Sequence, residues 1–315
     1  MLPEHIALSG TDFHFKNQQQ VYHGKVRDVY DIGEKLIIIT TDRISAFDHI
    51  LSRPIPWKGQ VLNQIAAHFL EAVKDICPVW LEECPDPNVS VGKKCQGIPI
   101  EMVVRGYLTG HAWRTYASGE RVLCGVQLEE GMRENQKITS PMLTPTTKAS
   151  EGHDEDISAD ALIKRGIVSK ALWEDMARLA FRLFERGTSI AAKQGLILVD
   201  TKYEFGLFEG KLILMDEIHT PDSSRYFERA NYLEHFNNNT SPTQLSKEFV
   251  REWLMAHGFQ GKDGQLMPEM PDLFVWTISE RYIDLYERIT GKPFIKSDSE
   301  IPVRQRIASN LSKYL

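Results

Sequence analysis

The sequence predicts an α+β fold, with an N-terminal antiparallel sheet lobe and a larger mixed α/β C-terminal lobe. Three observations lead there. Short β-rich runs come first, strands and helical stripes mix through the middle, and helical stripes close the chain. A chain of 315 residues buries a sizeable core as one large or two smaller domains, and we place the lobe boundary at 110, giving 1–110 and 111–315.

Taken in order, residues 1–20 are polar and end in three glutamines, the pattern of an arm or a loosely docked edge. Residues 21–30 alternate as a strand with Lys25 and Arg27 on one face, and a turn at 31–34 leads into a second β-rich run at 36–40. Gly24 beside two cations lets backbone and side chains approach a polyphosphate; a basic edge strand that discourages aggregation is the plainer use of the same residues. The loop at 41–48 is dense in polar groups, with Ser45 able to donate to an anion and Asp48 at its end, or serves simply as turn chemistry. Residues 59–76 carry the apolar stripe of a helix packed on one side.

A strand at 100–104 holds Glu101 and runs into Arg105, Gly106, Gly110 and His111, where glycines permit close approach and the arginine offers a fork for phosphate or carboxylate, or pairs with Glu101. The stretch 139–158 has little periodicity and reads as a long loop with Lys148, His153 and Asp154 as its chemical members. Ser169 caps a helix to about Gln194, with Trp173 and Met176 at core spacing. Two more helices are expected at 245–257 and 271–290.

Between these lies the stretch with the densest chemistry, 196–225. A strand starts at Ile197, and Asp200, Lys202 and Glu204 then share one face of the pleat. Residues 206–210 read as a turn, and a second strand ends in Asp216 and Glu217. Glu204 faces Asp216 if the connection has an odd length or a bulge, whereas a simple two-residue turn sets them on opposite faces. Facing carboxylates away from water need a proton or a cation, and with oxygen ligands alone a hard ion such as Mg2+ fits better than zinc. The alternative is a solvated charged face on an exposed hairpin.

Composition excludes several classes. A formal net charge of -6 argues against a nucleic-acid binder that works through a broad basic face. No apolar run is long enough to span a bilayer, and the first residues lack the basic-then-apolar pattern of a secretory signal, so a cytoplasmic setting without membrane contact is expected. The four cysteines show no CxxC pairing, and reduced thiols are the default.

With these residues laid out, the chain closely resembles the SAICAR synthetase family of purine biosynthesis, in its long single-domain form. The matching runs are GKVRDVY from Gly24, TDRISAFD from Thr41, IEMVVRGYLTG from Ile100, TPTTKASEGHDEDIS from Thr144, LVDTKYEFG from Leu198 and DEIHTPDSSR from Asp216. The resemblance implies an ATP site in the cleft between the lobes. It also implies a ligase that joins the carboxylate of carboxyaminoimidazole ribonucleotide (CAIR) to the amine of L-aspartate with ATP and Mg2+, through an acyl phosphate, by a monomer or homodimer. A small-molecule kinase is the alternative, although kinase HRD and DFG signatures are absent.

Carried over by position, the resemblance implies that Gly24, Lys25 and Arg27 meet the ATP phosphates, with Lys148 and Asp154 near nucleotide and substrate. Glu204 and Asp216 would hold Mg2+, and Lys202 would neutralise the CAIR carboxylate. Arg105 and Arg225 would hold CAIR's anionic groups, with Glu101, Asp200 and Asp222 orienting its polar groups beside Ser223 and Ser224. Ser45 and Asp48 are candidates for L-aspartate. His111 stands where many relatives have Ser; a histidine can also donate to phosphate, but its length shifts the geometry.

Overall fold

The computed structural model describes residues 6–148, 155–244, 247–298 and 300–315. The first sheet is built from β1 (Gln20–His23), β2 (Arg27–Asp31), β3 (Lys35–Thr40), β6 (Leu81–Asp86) and β7 (Val89–Lys93) in the antiparallel order β1-β2-β3-β7-β6, with a small hairpin of β4 (Ser45–Ala46) and β5 (His49–Ile50) beside it. The strand expected at 21–30 is therefore two strands. Residues 24–26 bend out between them, and the Gly24 N–H donates to the Arg27 carbonyl at 2.8 Å.

Alternation along β3 sorts its side chains between two cores. Ile38 joins the main core, whereas Ile37 and Ile39 pack with Tyr30, Val89 and Val91 against Leu8, Phe13 and Phe15 of the N-terminal segment and against α8 (Val303–Asn310). The expectation of a loosely docked arm is thus corrected. Ile6, Leu8, Phe13 and Phe15 are buried, and Thr11 donates to the buried Asp28 carboxylate from both its N–H and its hydroxyl at 2.8 Å. Arg306 of α8 bonds Asp86 at 2.9 and 3.0 Å and holds that helix down.

The second sheet is centred on two long strands, β8 (Gln96–Leu108) and β13 (Leu196–Phe208), in the order β11-β8-β13-β14. Here β11 is Gln136–Leu143 and β14 is Lys211–Met215; β12 (Thr146–Thr147) also pairs with β8, and β15 (Ser224–Glu228) with β13. Residues 139–143 and 146–147 of the loop expected at 139–158 are consequently strand. Pro141 hides it from a sequence reading, and that proline falls in the irregular segment between Lys137 and Met142, where a missing N–H costs the ladder nothing.

Two further short strands, β9 (Val122–Leu123) and β10 (Val126–Gln127), follow α2 (Gly110–Ala117). Helix α3 (Ala159–Lys164) precedes α4 (Lys170–Lys193), which Ser169 caps by accepting from the Leu172 N–H at 3.2 Å. Met176, Ala180 and Leu183 of α4 bury its stripe in the main core. Helix α1 (Lys58–Ala72) packs on α7 (Asp272–Thr290), while α5 (Arg229–Asn237) and α6 (Glu248–Ala256) lie between β15 and α7 in the chain. Among the described residues no helix is long and apolar enough to cross a membrane.

Candidate active site

The β13–β14 hairpin turns through Glu209 and Gly210, with φ of 51° and 75°. Two left-handed residues make the connection whose twist matches the flanking strands. The pairing carries no bulge, and Glu204 faces Met215. Continued as a strand, Asp216 would project from the far face. It does not continue: Asp216 adopts φ 56°, ends β14, and lines the same cavity as Glu204, with its carbonyl accepting from the Trp80 indole at 3.0 Å. The carboxylate pair thus exists without the odd loop or bulge the sequence reading required, because one left-handed residue re-aims the side chain. The expected turn at 206–210 is likewise shorter, with β13 running on to Phe208.

Around Glu204 the charges interlock. Lys202 donates to Glu204 at 2.9 Å and also to Glu101, which lies directly opposite Glu204 on β8; Lys148 donates to the other Glu204 oxygen at 2.5 Å. Burial opposes the Glu204 charge, but Lys202 and Lys148 outweigh it and bring its pKa down to about 2. Burial and then repulsion from Glu204 push Asp216 up to about 6. Burial also opposes the charge on Lys202, yet Glu204, Glu101 and Asp216 more than offset it and its pKa is raised. Asp216 is therefore an oxygen donor beside Glu204 whose charge a cation shared by the two would stabilise, beyond what Arg27 and Lys202 already supply. Among the described residues no three His, Cys, Asp or Glu side chains gather to hold a metal by themselves. A hard ion that keeps waters and shares phosphate oxygens fits a two-carboxylate set.

These groups close one end of a cavity of about 550 Å³ between the two sheets. Lys25, Arg27, Lys148 and Lys202 bring positive charge to it, while Val29, Leu36, Ile38, Trp80 and Met215 give it apolar walls. An apolar wall joined to a cationic end suits a nucleoside polyphosphate.

A second cavity, about 200 Å³, lies on the other side of Lys202, which lines both. In it Asp200 stands between two arginines from its flanking strands, Arg105 at 3.4 Å and Arg225 at 2.5 Å. Gly110, at φ 57°, lets Arg225 in, since a Cβ there would come within 2.4 Å of the guanidinium. Asp222 is pinned on both oxygens, by Lys58 at 3.1 Å and by the Tyr282 hydroxyl at 2.9 Å. Burial opposes its charge, but Lys247 and Lys58 prevail and its pKa is depressed. His111, Ser223, Ser224, Lys247 and Arg251 complete the lining, and His111 meets Asp156 at 2.6 Å.

Most of the residues singled out in the sequence converge on these two cavities. Gly24, Lys25, Arg27, Lys148, Glu204 and Asp216 line the larger; Arg105, His111, Asp200, Asp222, Ser223, Ser224 and Arg225 line the smaller. Glu101 enters through Lys202. Ser45 and Asp48 line neither, and Asp48 instead bonds Lys25 at 2.5 Å. Asp154 and His153 lie outside the described residues.

Sequence reasoning missed Lys58, Glu217, Lys247, Arg251 and Tyr282. Lys247 and Arg251 carried a usable signal, since their spacing sets two cations on one helix face. Lys58 carried none. A lysine at a helix start reads as solvated, and only the approach of α7 and the Asp222 turn buries it completely.

The SAICAR synthetase family model matches residues 20–266. The chain belongs to that family. It is 58% identical over 311 residues to the phosphoribosylaminoimidazole-succinocarboxamide synthase of Bacteroides thetaiotaomicron, covering 98% of this chain and 99% of that one. It is 52% identical over 312 residues to the corresponding synthase of Flavobacterium psychrophilum, with 98% of each covered. Among solved structures it superposes on the Saccharomyces cerevisiae SAICAR synthase complexed with SAICAR, with a TM-score of 0.75, 30% identity, and 93% of this chain and 98% of that chain covered. Family membership makes the chain an ATP-dependent ligase of purine biosynthesis that joins CAIR to L-aspartate, and the small-molecule kinase reading is not favoured.

Proposed function

We propose that the two cavities divide this reaction between them, with ATP in the larger, CAIR in the smaller, and the chemistry at Lys202. The observation that carries this reading is that Lys202 lines both cavities while bonded to Glu204 and Glu101. A carboxylate resists attack by an amine because oxide is a poor leaving group. Its oxygen must first take the γ-phosphoryl group, releasing ADP; the aspartate amine then attacks the acyl carbon and phosphate departs. Both partners in the first step are anions, so positioning and charge neutralisation supply most of the acceleration.

Lys25 and Arg27 would hold the triphosphate, with Lys148 beside them. Arg105 and Arg225, braced by Asp200, would hold anionic groups of CAIR, with His111 at the start of α2. Asp222, kept ionised by Lys247 and Lys58, would accept from a donor on CAIR. Lys202 would draw the CAIR carboxylate toward the nucleotide. Mg2+, held by Glu204 and Asp216, would neutralise phosphate charge. The lobe division near residue 110 belongs to this reading, with nucleotide against the first sheet and CAIR against the second, and a cytoplasmic setting fits small anionic metabolites. Ser45 and Asp48 remain candidates for L-aspartate, and Asp154 for a place near nucleotide and substrate.

The test is stoichiometry. Purified protein should form ADP rapidly only with CAIR, L-aspartate and Mg2+ together, with one succinocarboxamide product per ADP. ADP released at the full rate with CAIR alone would overturn the reading.

A further inference from the structure

One buried carboxylate stands between the two cavities without lining either. Glu217 follows Asp216 in the chain and meets two partners that belong to different sites, one as an ion pair and one as a hydrogen bond. The first is the Arg27 guanidinium, which comes from β2 and lines the larger cavity. The second is the Thr220 hydroxyl, at 2.5 Å.

Thr220 is the hub of the turn that supplies the smaller cavity. Its Oγ1 accepts from the N–H groups of Asp222 and Ser223 at 3.3 Å each, and its carbonyl accepts from the N–H groups of Ser223 and Ser224 at 3.1 and 2.8 Å. A hydroxyl has a single proton and two lone pairs. By taking that proton, Glu217 turns the lone pairs of Thr220 toward the turn's N–H groups. Toward Arg27 it acts differently: burial opposes the guanidinium's charge, but Glu217, Asp216 and Asp222 more than offset this and keep it firmly protonated. A buried ion pair of this kind also holds a long side chain in place before any anion arrives.

We infer that Glu217 is a positioning residue of the ligase, aiming Arg27 at the triphosphate on one side and fixing the 220–224 turn on the other, while touching no substrate itself. The inference rests on the assignment of the larger cavity to ATP. Both partners meet the same oxygen, Oε2, so Glu217→Gln keeps the shape and an acceptor oxygen but loses the charge that holds the guanidinium. The KM for ATP should rise about tenfold and that for CAIR a fewfold, the scale of losing one buried ion pair, with kcat changed less.

A double-mutant cycle separates aiming from a general packing role. Arg27→Ala alone should raise the ATP KM, and adding Glu217→Gln should raise it no further, because the second change acts through the first residue. Thr220→Val should raise the CAIR KM and spare that for ATP. If Glu217→Gln does not fold, as judged by its melting curve, Glu217→Asp keeps the charge on a shorter arm and enters the same cycle. Both KM values within twofold of the parent, or effects of Arg27 and Glu217 that multiply, overturn the inference while leaving the cavity assignment intact. An ATP KM untouched by Arg27→Ala would sink that assignment, and the inference with it.

Discussion

The two cavities either side of Lys202 solve opposite electrostatic problems. In the smaller one, acids and bases are already matched: Asp200 lies between Arg105 and Arg225, and Asp222 between Lys58 and Tyr282. In the larger one, Glu204 is over-supplied with lysines while Asp216 keeps a raised pKa through burial and the repulsion of Glu204. A pre-paired site recognises a substrate by exchanging partners, whereas a site whose two carboxylates repel each other gains from a cation shared between them. The difference teaches that acidic residues close together in sequence and space serve separate tasks, which the matching of each charge reveals.

The largest expected effect breaks the unmatched side. Glu204→Gln or Asp216→Asn should lower kcat by about 10²–10³-fold, the scale of losing an electrostatic stabiliser, and abolish the response to added Mg2+ with the circular dichroism spectrum unchanged. Turnover near that of the parent with either change would remove the two-carboxylate assignment.

The matched side should respond in stability instead. Lys58→Met leaves Asp222 buried with its closest cation gone, a change expected to cost about 3 kcal/mol or more in urea unfolding. A cost below about 0.5 kcal/mol, the range of surface substitutions, would mean that Lys247 alone suffices to hold Asp222.

A smaller effect, in pH, sets the two demands on Asp216 against each other. Its pKa is pushed up to about 6 from an ordinary 3.8. Below about 6 a proton competes with the metal, so Mg2+ affinity measured by titration calorimetry should fall by up to about tenfold per pH unit. Stability runs the other way. A carboxyl whose folded pKa lies above its unfolded one destabilises the fold when ionised, so unfolding free energy should rise as pH falls through about 6 toward 3.8, and Asp42, also pushed up to about 6 by burial, adds to the trend. Mg2+ affinity that stays constant from pH 7 to 5 would contradict the assigned role of Asp216.

What was legible before the structure follows from range of interaction. The stripe of α4 and its Ser169 cap are local patterns, and they hold. The N-terminal segment deceived because its polar average hides Leu8, Phe13 and Phe15, whose partners on α8 lie at the far end of the chain. The carboxylate pair was proposed for a sound reason, but its route was misjudged. Register in a hairpin obeys the two-residue turn, and no rule of alternation foresees the left-handed Asp216 that follows it.

The sequence by itself determined which residue types share a strand face, since side chains alternate with a period of two, and, through several ordered motifs, the family and its reaction. Only the tertiary structure decided the charge state and partner of each group. It buried Lys58 against Asp222, set Glu217 between Arg27 and Thr220, and placed Lys202 at the junction of two cavities. The physical reason is that a charge's energy depends on its desolvation and on neighbours a few ångströms away, and here those neighbours come from strands and helices scattered along the chain.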